Sequence, residues 1–271
     1  MLPRASLIKG NDDIDYLLFS TKDAISSSIY FNGVWAPPLL TISQLFYADI
    51  PAPFIMDIGA NLGAYSIPIA KEIQAQGGIV YAYEPQRIIY YQLCGNVFIN
   101  RLENLFTFCK ALGEKEDLIK LPAIDYNKSF NIGGFTLDES IRNAHIQQGS
   151  PQVETVKDKF EPEIPMIMMD NIDVPSSPCL IKIDVEWLEF EVLSGGKNFL
   201  RKHGLPPILF EASADEGFAN GKNKILGLLR DLGYEDFFSI GNEVIAQSSS
   251  YSRFIKFNQV ADGTIQMIRQ K

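Results

Sequence analysis

The sequence predicts an α/β fold with a doubly wound, mainly parallel sheet. Three observations lead there. From about residue 54, short apolar runs alternate with longer stretches of helical spacing. Gly, Pro and Asn punctuate the joins between them. The same rhythm resumes after residue 180, so strand and helix keep alternating rather than segregating. That order needs crossover connections, which are right-handed and place helices on both faces of a parallel sheet.

The elements follow in order. Phe54-Ile-Met-Asp-Ile58 is a compact apolar run that stops at Gly59, and Leu62 to Ile73 then has helical spacing with Pro68 near its start. Gly77-Gly78 ends that helix, and Ile79 to Tyr83 is a strand of β-formers. Gln86 to Asn100 reads as a helix and Leu105 to Cys109 as a strand. Leu180 to Asp184 reads as a strand, Glu186 to Lys202 as a helix and Pro207 to Glu211 as a strand. Asn223 to Leu232 is helical, Gly233 stops it, and Tyr234 to Ser239 is extended. One or two closing strands are expected after Gly241.

Two regions interrupt the rhythm. Residues 1–50 form an N-terminal extension, with an amphipathic helix from Pro37 to Ala48, and residues 51–271 form the main domain. Residues 111–165 are too long for a simple connection and contain Gly133-Gly134, Pro151, Pro162 and Pro165. Excursions of that length in compact domains serve as lids or binding loops. Both regions are expected to cover the active-site edge.

Composition narrows the function. With 33 acidic and 24 basic side chains, the formal net charge is −9. No Lys/Arg cluster offsets it, so nucleic acid is not the expected partner. Cys94, Cys109 and Cys179 are sparse, odd in number and without a Cys-x-x-Cys pair, which fits a reducing compartment. The first 20 residues lack the apolar core of a signal peptide, and no run approaches the ~20 apolar residues that span a bilayer. A cytoplasmic protein with no membrane partner is expected, with homo-oligomerisation left open.

In open α/β sheets, ligands bind beyond the carboxyl ends of the strands, where strand order reverses. Asp57-Ile-Gly59-Ala60-Asn61-Leu-Gly63 joins the first strand to its helix at such a place. Gly59 permits a sharp turn and close ligand approach, and Gly63 lets the helix pack tightly. The helix N-terminus offers unpaired N–H groups to a carboxylate tail, and Asp57 complements an amino group. Glu84 ends the second strand, where an acidic side chain accepts hydrogen bonds from both ribose hydroxyls, and Pro85 turns the chain away. The set suits an adenosine bearing an amino-acid tail, such as S-adenosylmethionine. A dinucleotide is the weaker reading, because Asn61 stands where the second glycine of Gly-x-Gly-x-x-Gly would admit a pyrophosphate.

Three segments occur in order: Phe54 to Ser66 (FIMDIGANLGAYS), Tyr83-Glu-Pro85, and Leu180-Ile-Lys-Ile-Asp-Val-Glu186. Together they resemble the motifs of the FkbM-type S-adenosylmethionine-dependent methyltransferases, over about Phe54 to Glu211. The resemblance implies a seven-stranded class I methyltransferase core with a reversed last hairpin. It also implies methyl transfer to a hydroxyl oxygen, often on a sugar or secondary metabolite. Asp57, Gly59, Ala60, Asn61, Gly63, Ser66, Glu84 and Pro85 are the expected cofactor residues. Asn96 and Asn100 resemble asparagines of the family's helix after Glu-Pro, and Asn131-Ile-Gly-Gly134 resembles a loop of some members. One position departs: Trp187 stands where the family usually has glycine. Its ring is expected either to reshape the acceptor pocket or to pack under the helix.

Methyl transfer from a sulfonium is an in-line displacement that depends on positioning, and a hydroxyl acceptor also needs a base. Asp184, Glu186 and Glu211 end the fourth and fifth strands, facing the expected methyl. Asp184 is the first choice for acceptor contact or proton removal and Glu186 the second, while carboxylates at strand ends also cap helices. Lys182 shares a face with Asp184 by strand alternation. His203, near a helix end, reads as a cap for carbonyls, and His145 has no identifiable partner. Asp170-Asn171 and Asp184-x-Glu186 lack a third convergent carboxylate, so no metal is expected. Tyr30, Phe31 and Trp35 are candidate pocket aromatics. The leading expectation is an O-methyltransferase acting on a small molecule or saccharide. A non-catalytic binding or scaffold protein and an NAD-dependent oxidoreductase are the alternatives.

Overall fold

A computed structural model of the protein describes residues 3–19, 23–126, 132–136, 153–212, 216–259 and 265–269. Its centre is a seven-stranded sheet. The strands are β3 (Phe54–Ile58), β4 (Ile79–Tyr83), β5 (Leu105–Phe108), β11 (Leu180–Ile183), β12 (Ile208–Glu211), β13 (Asp236–Ile240) and β14 (Glu243–Gln247). Their spatial order is β13-β14-β12-β11-β3-β4-β5. All neighbours from β5 to β12 are parallel, whereas β14 runs antiparallel to both β12 and β13. This is the class I methyltransferase arrangement, reversed hairpin included.

Burial explains why the central strands are so apolar. Every residue of β3 and of β11 is buried, as expected for parallel strands covered on both faces. One face packs with Ile67, Ile69 and Leu93, and the other with Leu193, Leu200 and Leu229. Asp57 and Lys182 are the polar exceptions, and the register sets them opposite each other across β3 and β11. The chain leaves β3 towards β4 and β5, then returns to β11 on the other side. The strand order therefore reverses between β3 and β11.

The extension wraps the same end of the sheet. β1 (Ala5–Lys9) and β2 (Asp15–Phe19) form an antiparallel hairpin. It docks on α4 (Arg87–Ile99) through side chains that satisfy its backbone. Asn96 Oδ1 accepts the Leu17 N–H at 2.6 Å, and Asn100 Oδ1 accepts the Asp15 N–H at 2.9 Å. Two helices follow: α1 (Ala24–Asn32), whose N-cap Asp23 accepts the Ser26 N–H at 2.9 Å, and α2 (Pro37–Tyr47), begun by prolines whose missing N–H costs nothing there.

Several boundaries differ from the sequence expectation, each for a local reason. The helix expected from Leu62 begins only at Ser66 (α3, Ser66–Ile73), because Asn61 at φ 51° and Gly63 at φ 90° bend the chain first. The helix expected over 186–202 is two short ones, α5 (Glu189–Ser194) and α6 (Lys197–Lys202), parted at Gly195-Gly196. A Cβ on Gly195 would lie 2.0 Å from the Gly113 carbonyl oxygen, so the segment after Leu112 runs against that break. α7 (Glu216–Leu232) is longer than expected.

The excursion contains short strands: β6 (Ala111–Leu112), β7 (Asp117–Ile119), β8 (Pro122–Ile124), β9 (Thr155–Phe160) and β10 (Ile164–Ile167). β6-β10-β7 and β8-β9 make two small sheets. Asn131 and His145 lie outside the described residues. After β14, β15 (Ile255–Gln259) and β16 (Ile265–Arg269) pair as a separate hairpin, so the tail has one strand more than the most expected.

Candidate active site

A cavity of about 810 Å3 opens at the carboxyl ends of β3, β4, β11 and β12, where the strand order reverses. Gly59, Ala60, Asn61, Glu84 and Pro85 line one side of it, and Asp184, Glu186 and Glu211 line another. Ala24, Trp35 and Leu39 of the extension and Gly133 and Phe135 of the excursion contribute further wall. Gly59 and Glu84 thus share one space. Asp57, Gly63 and Ser66 do not line it.

The glycine loop is held by its own backbone. The amides of Gly59 and Ala60 both donate to the Tyr83 carbonyl at 2.9 Å, and that of Gly63 donates to Ala60. Asn61 donates its N–H to Glu84 Oε2 at 2.9 Å, and Leu62 donates to the Asn61 side chain at 2.6 Å. The expectation that this turn presents unpaired N–H groups is therefore corrected for residues 59–63. Their donors stabilise the loop, and a ligand meets its surface. Gly59 sits at φ 88°, and a Cβ there would lie 1.8 Å from the Asp184 carbonyl oxygen. No side chain fits between the two loops. At Gly63, φ 90°, a Cβ would meet Ile67 and Leu93 at 2.7 and 2.8 Å, which is the close helix packing expected of it.

Glu84 is 4% exposed, and its second oxygen accepts the Gln86 N–H at 2.8 Å. Burial pushes its pKa up to about 7 against the pull of these two amides. Each carboxylate oxygen keeps a second lone pair for a hydroxyl donor.

Asp57 is corrected from ligand contact to buried anchor. It is fully buried, accepts the Ser66 hydroxyl, and lies 3.4 Å from Lys182 Nζ. Ser66 is likewise fully buried, so its role is to satisfy Asp57. Lys182 also donates to Asp184 Oδ2 at 3.0 Å and lies 5.3 Å from the centre of the Tyr65 ring. Burial alone would lower the lysine pKa, but Asp184 and Asp57 outweigh it and keep the ammonium protonated. The lysine therefore fixes Asp184 at the cavity wall as an acceptor.

The carboxylates at the strand ends converge more than the sequence suggested. Asp184, Glu186 and Glu211 each present an oxygen within 4.8 Å of the others. The third carboxylate, whose absence argued against a metal, is Glu211, brought alongside by the pairing of β11 with β12. Burial, with Asp184 and Glu211 nearby, pushes Glu186 up to about 9. Glu243 was not singled out in the sequence, because the strand after Gly241 could not be delimited. It lines the same cavity and pairs directly across from Glu211.

The other candidates separate. Trp35 lines the cavity, whereas Tyr30 and Phe31 are 62% and 79% exposed and meet edge to face. Trp187 adopts φ 80° and packs against the core cluster that holds Val192 and Phe199, outside the cavity lining. That left-handed conformation favours glycine, so Trp187 holds it at a cost in backbone strain. Asn96 also donates to the Leu62 carbonyl at 2.9 Å, and Asn100 bonds the Asp15 carbonyl at 2.6 Å, so both asparagines clamp structure. His203 is the C-cap of α6, as expected, its backbone N–H donating to the Phe199 carbonyl at 3.0 Å, and its ring also lies 3.0 Å from Ser177 Oγ. Asp170 caps α6 through the Phe199 N–H at 2.7 Å. The three cysteines are unpaired.

No helix among the described residues is long and apolar enough to cross a membrane.

No curated protein matches the chain. Similar solved structures include the methyltransferase FkbM of Methylobacillus flagellatus, at 17% identity over 76% of this chain and 47% of that one, TM-score 0.45. The match thus spans about half of that protein's length. A second is the S-adenosylmethionine-dependent O-methyltransferase of Thermotoga maritima, at 11% identity over 99% and 88%, TM-score 0.44. A third is the tRNA (uracil-54, C5)-methyltransferase of Pyrococcus abyssi in complex with S-adenosyl-L-homocysteine, at 14% identity over 90% and 44%, TM-score 0.45. The family model described as the methyltransferase FkbM domain matches residues 57–235, from the carboxylate before the glycine loop to the residue before β13. The chain therefore belongs to the FkbM family of S-adenosylmethionine-dependent methyltransferases.

Proposed function

We propose that the protein moves the methyl group of S-adenosylmethionine to a hydroxyl oxygen on a small molecule or saccharide. The observation that carries this reading is the single cavity shared by Gly59 and Glu84 on one side and Asp184, Glu186 and Glu211 on another. Gly59, Ala60 and Asn61 would shape the surface met by the methionine tail, while Glu84, turned out by Pro85, would accept the ribose hydroxyls. Asp57, Gly63 and Ser66 support that half from behind.

Methyl transfer breaks the carbon–sulfur bond, leaves its electron pair on sulfur, and joins the carbon to the acceptor oxygen. Positioning supplies most of the acceleration, and a base near the hydroxyl removes its proton. Asp184 takes that proton in our reading, because Lys182 fixes its carboxylate at the cavity wall. Glu186 contacts the acceptor. We assign residues 1–50 as a cap and 111–165 as an insertion on the domain of residues 51–271, since Trp35 and Phe135 wall the cavity.

A carboxylate-lined cavity in a chain of net charge −9 repels phosphate, which supports a small hydroxylated acceptor over nucleic acid. Three unpaired cysteines fit work in the cytoplasm.

Calorimetric titration with S-adenosylhomocysteine, followed by assay of methyl transfer to hydroxylated small molecules, sugars and tRNA, tests the reading. Binding of S-adenosylhomocysteine and ether formation on a hydroxylated acceptor are expected. Failure to bind S-adenosylhomocysteine, or transfer to tRNA alone, would overturn it.

A further inference from the structure

We propose that Gln86 selects adenine as the base of the cofactor, its side-chain Oε1 accepting a hydrogen bond from the exocyclic amino group. The assignment rests on the reading above, in which the loop at Gly59 meets the methionine tail and Glu84 meets the ribose.

That reading gives the base a direction. β4 lies between β3 and β5 in the sheet. A nucleoside carries its base and its tail at opposite ends of the ribose. With the tail over the loop after β3 and the hydroxyls on Glu84 at the end of β4, the base extends towards the end of β5. There the cavity is lined by Pro85 and Gln86 after β4, and by Lys110, Ala111 and Leu112 after β5. Adenine presents a donor, its amino group. The proline, alanine and leucine side chains have no polar atom to meet it, and a lysine ammonium only donates. Gln86 is the side chain of this set that carries an acceptor.

The carboxamide is oriented for that role. Gln86 is 6% exposed, and its Nε2 donates to the Ile132 carbonyl at 3.3 Å. A carbonyl only accepts, so the nitrogen branch of the amide must face Ile132 and Oε1 takes the other branch. Oε1 is buried and has no hydrogen-bond partner among the described residues. A buried acceptor without a donor is costly, and such an atom in a side chain that lines a ligand cavity calls for a donor from the ligand. The Gln86 backbone N–H donates to Glu84 Oε1 at 2.8 Å, which ties the residue that reads the base to the one that holds the ribose. Ile132 belongs to the excursion, and Gly133 beside it lines the cavity. The excursion therefore sets the direction of the amide.

The test is calorimetric titration of the full chain with two ligands, S-adenosylhomocysteine and S-inosylhomocysteine, which carries an oxygen in place of the amino group. The unaltered chain should bind the adenine ligand at least about tenfold tighter, because the oxygen would confront Oε1 and leave it unpaired. Gln86→Met keeps the length and removes the acceptor, so it should weaken the adenine ligand about tenfold and bring the two affinities together. Gln86→Glu keeps an acceptor in the same shape and should keep the preference, which serves as the check if the methionine variant does not fold. A structural role alone would weaken both ligands alike and leave their ratio unchanged in Gln86→Met. That result would overturn the assignment, as would loss of the preference in Gln86→Glu. Equal binding of the two ligands by the unaltered chain would overturn it and leave the reading of the cavity standing. Binding of neither would overturn that reading, and the assignment with it.

Discussion

Glu84 accepts the backbone N–H of Asn61 at 2.9 Å, so the carboxylate expected to clasp a ribose also holds the glycine loop in shape. A single side chain thereby joins the two strand ends that form the donor half of the cavity. Replacing it with glutamine removes the charge and turns one acceptor into a donor, which then faces a backbone N–H. Glu84→Gln should weaken S-adenosylhomocysteine by about 10–100-fold, since charge-assisted hydrogen bonds contribute ~1.5–3 kcal/mol each. Calorimetry reads this directly, and unchanged affinity would remove Glu84 from the donor site.

The same residue sets a pH dependence. Burial pushes Glu84 from the ordinary 4.5 to about 7, so between those values the folded chain holds a proton that the unfolded chain has lost. Its contribution to stability therefore declines as pH rises through that window. Ligand binding moves the other way, because the ionised form accepts both ribose hydroxyls. Affinity for S-adenosylhomocysteine should rise by up to about tenfold between about pH 6 and 8 and should be flat in Glu84→Gln.

Gly59→Ala would put a methyl group 1.8 Å from the Asp184 carbonyl oxygen at a φ of 88°. Backbone must shift, so cofactor binding should be lost and stability should fall by about 2–4 kcal/mol, combining overpacking with left-handed strain. Differential scanning calorimetry and ligand titration together check this.

Lys182→Met would leave Asp57, fully buried, with the Ser66 hydroxyl as its one side-chain partner among the described residues. Breaking a buried ion pair from one side costs about 3–5 kcal/mol. Urea denaturation should show that loss, and Asp57→Asn added to Lys182→Met should recover part of it.

Asn96→Ala removes the partner of the Leu17 amide and of the Leu62 carbonyl at once. Both hydrogen bonds tie the N-terminal hairpin to the glycine loop through α4. A loss of about 2–3 kcal/mol is expected, with faster amide exchange in Asp15–Phe19.

Much of the framework could be read directly from the chain. Phe54–Ile58 and Leu180–Ile183 are apolar runs because both faces of a parallel strand are covered, and that pattern needs no knowledge of neighbours. The wall formed by Gly59 and Glu84 lies in two consecutive strand–loop–helix units, the glycines after β3 and Glu84 after β4, so its pattern is local in the chain. In the acceptor half, Asp184, Glu186 and Glu211 were named at the strand ends and line the cavity, whereas Glu243 was not named: it meets Glu211 only because β12 and β14 pair antiparallel, a tertiary relation with no local signature. Asp57 was misread because Lys182, its partner, lies far along the chain and opposite it only in register. At the Gly195-Gly196 break, the Gly113 carbonyl from another segment lies where a Cβ on Gly195 would, a constraint that the local sequence does not show.

The contact of Gly59 with the Asp184 carbonyl is made by main chain alone. The gap between the loop after β3 and the loop after β11 is therefore set by the path of the peptide, not by any rotamer. Side chains on either loop can be exchanged over evolutionary time without altering that spacing. New acceptors can then be explored at Glu186 while the geometry beside Gly59 is inherited intact.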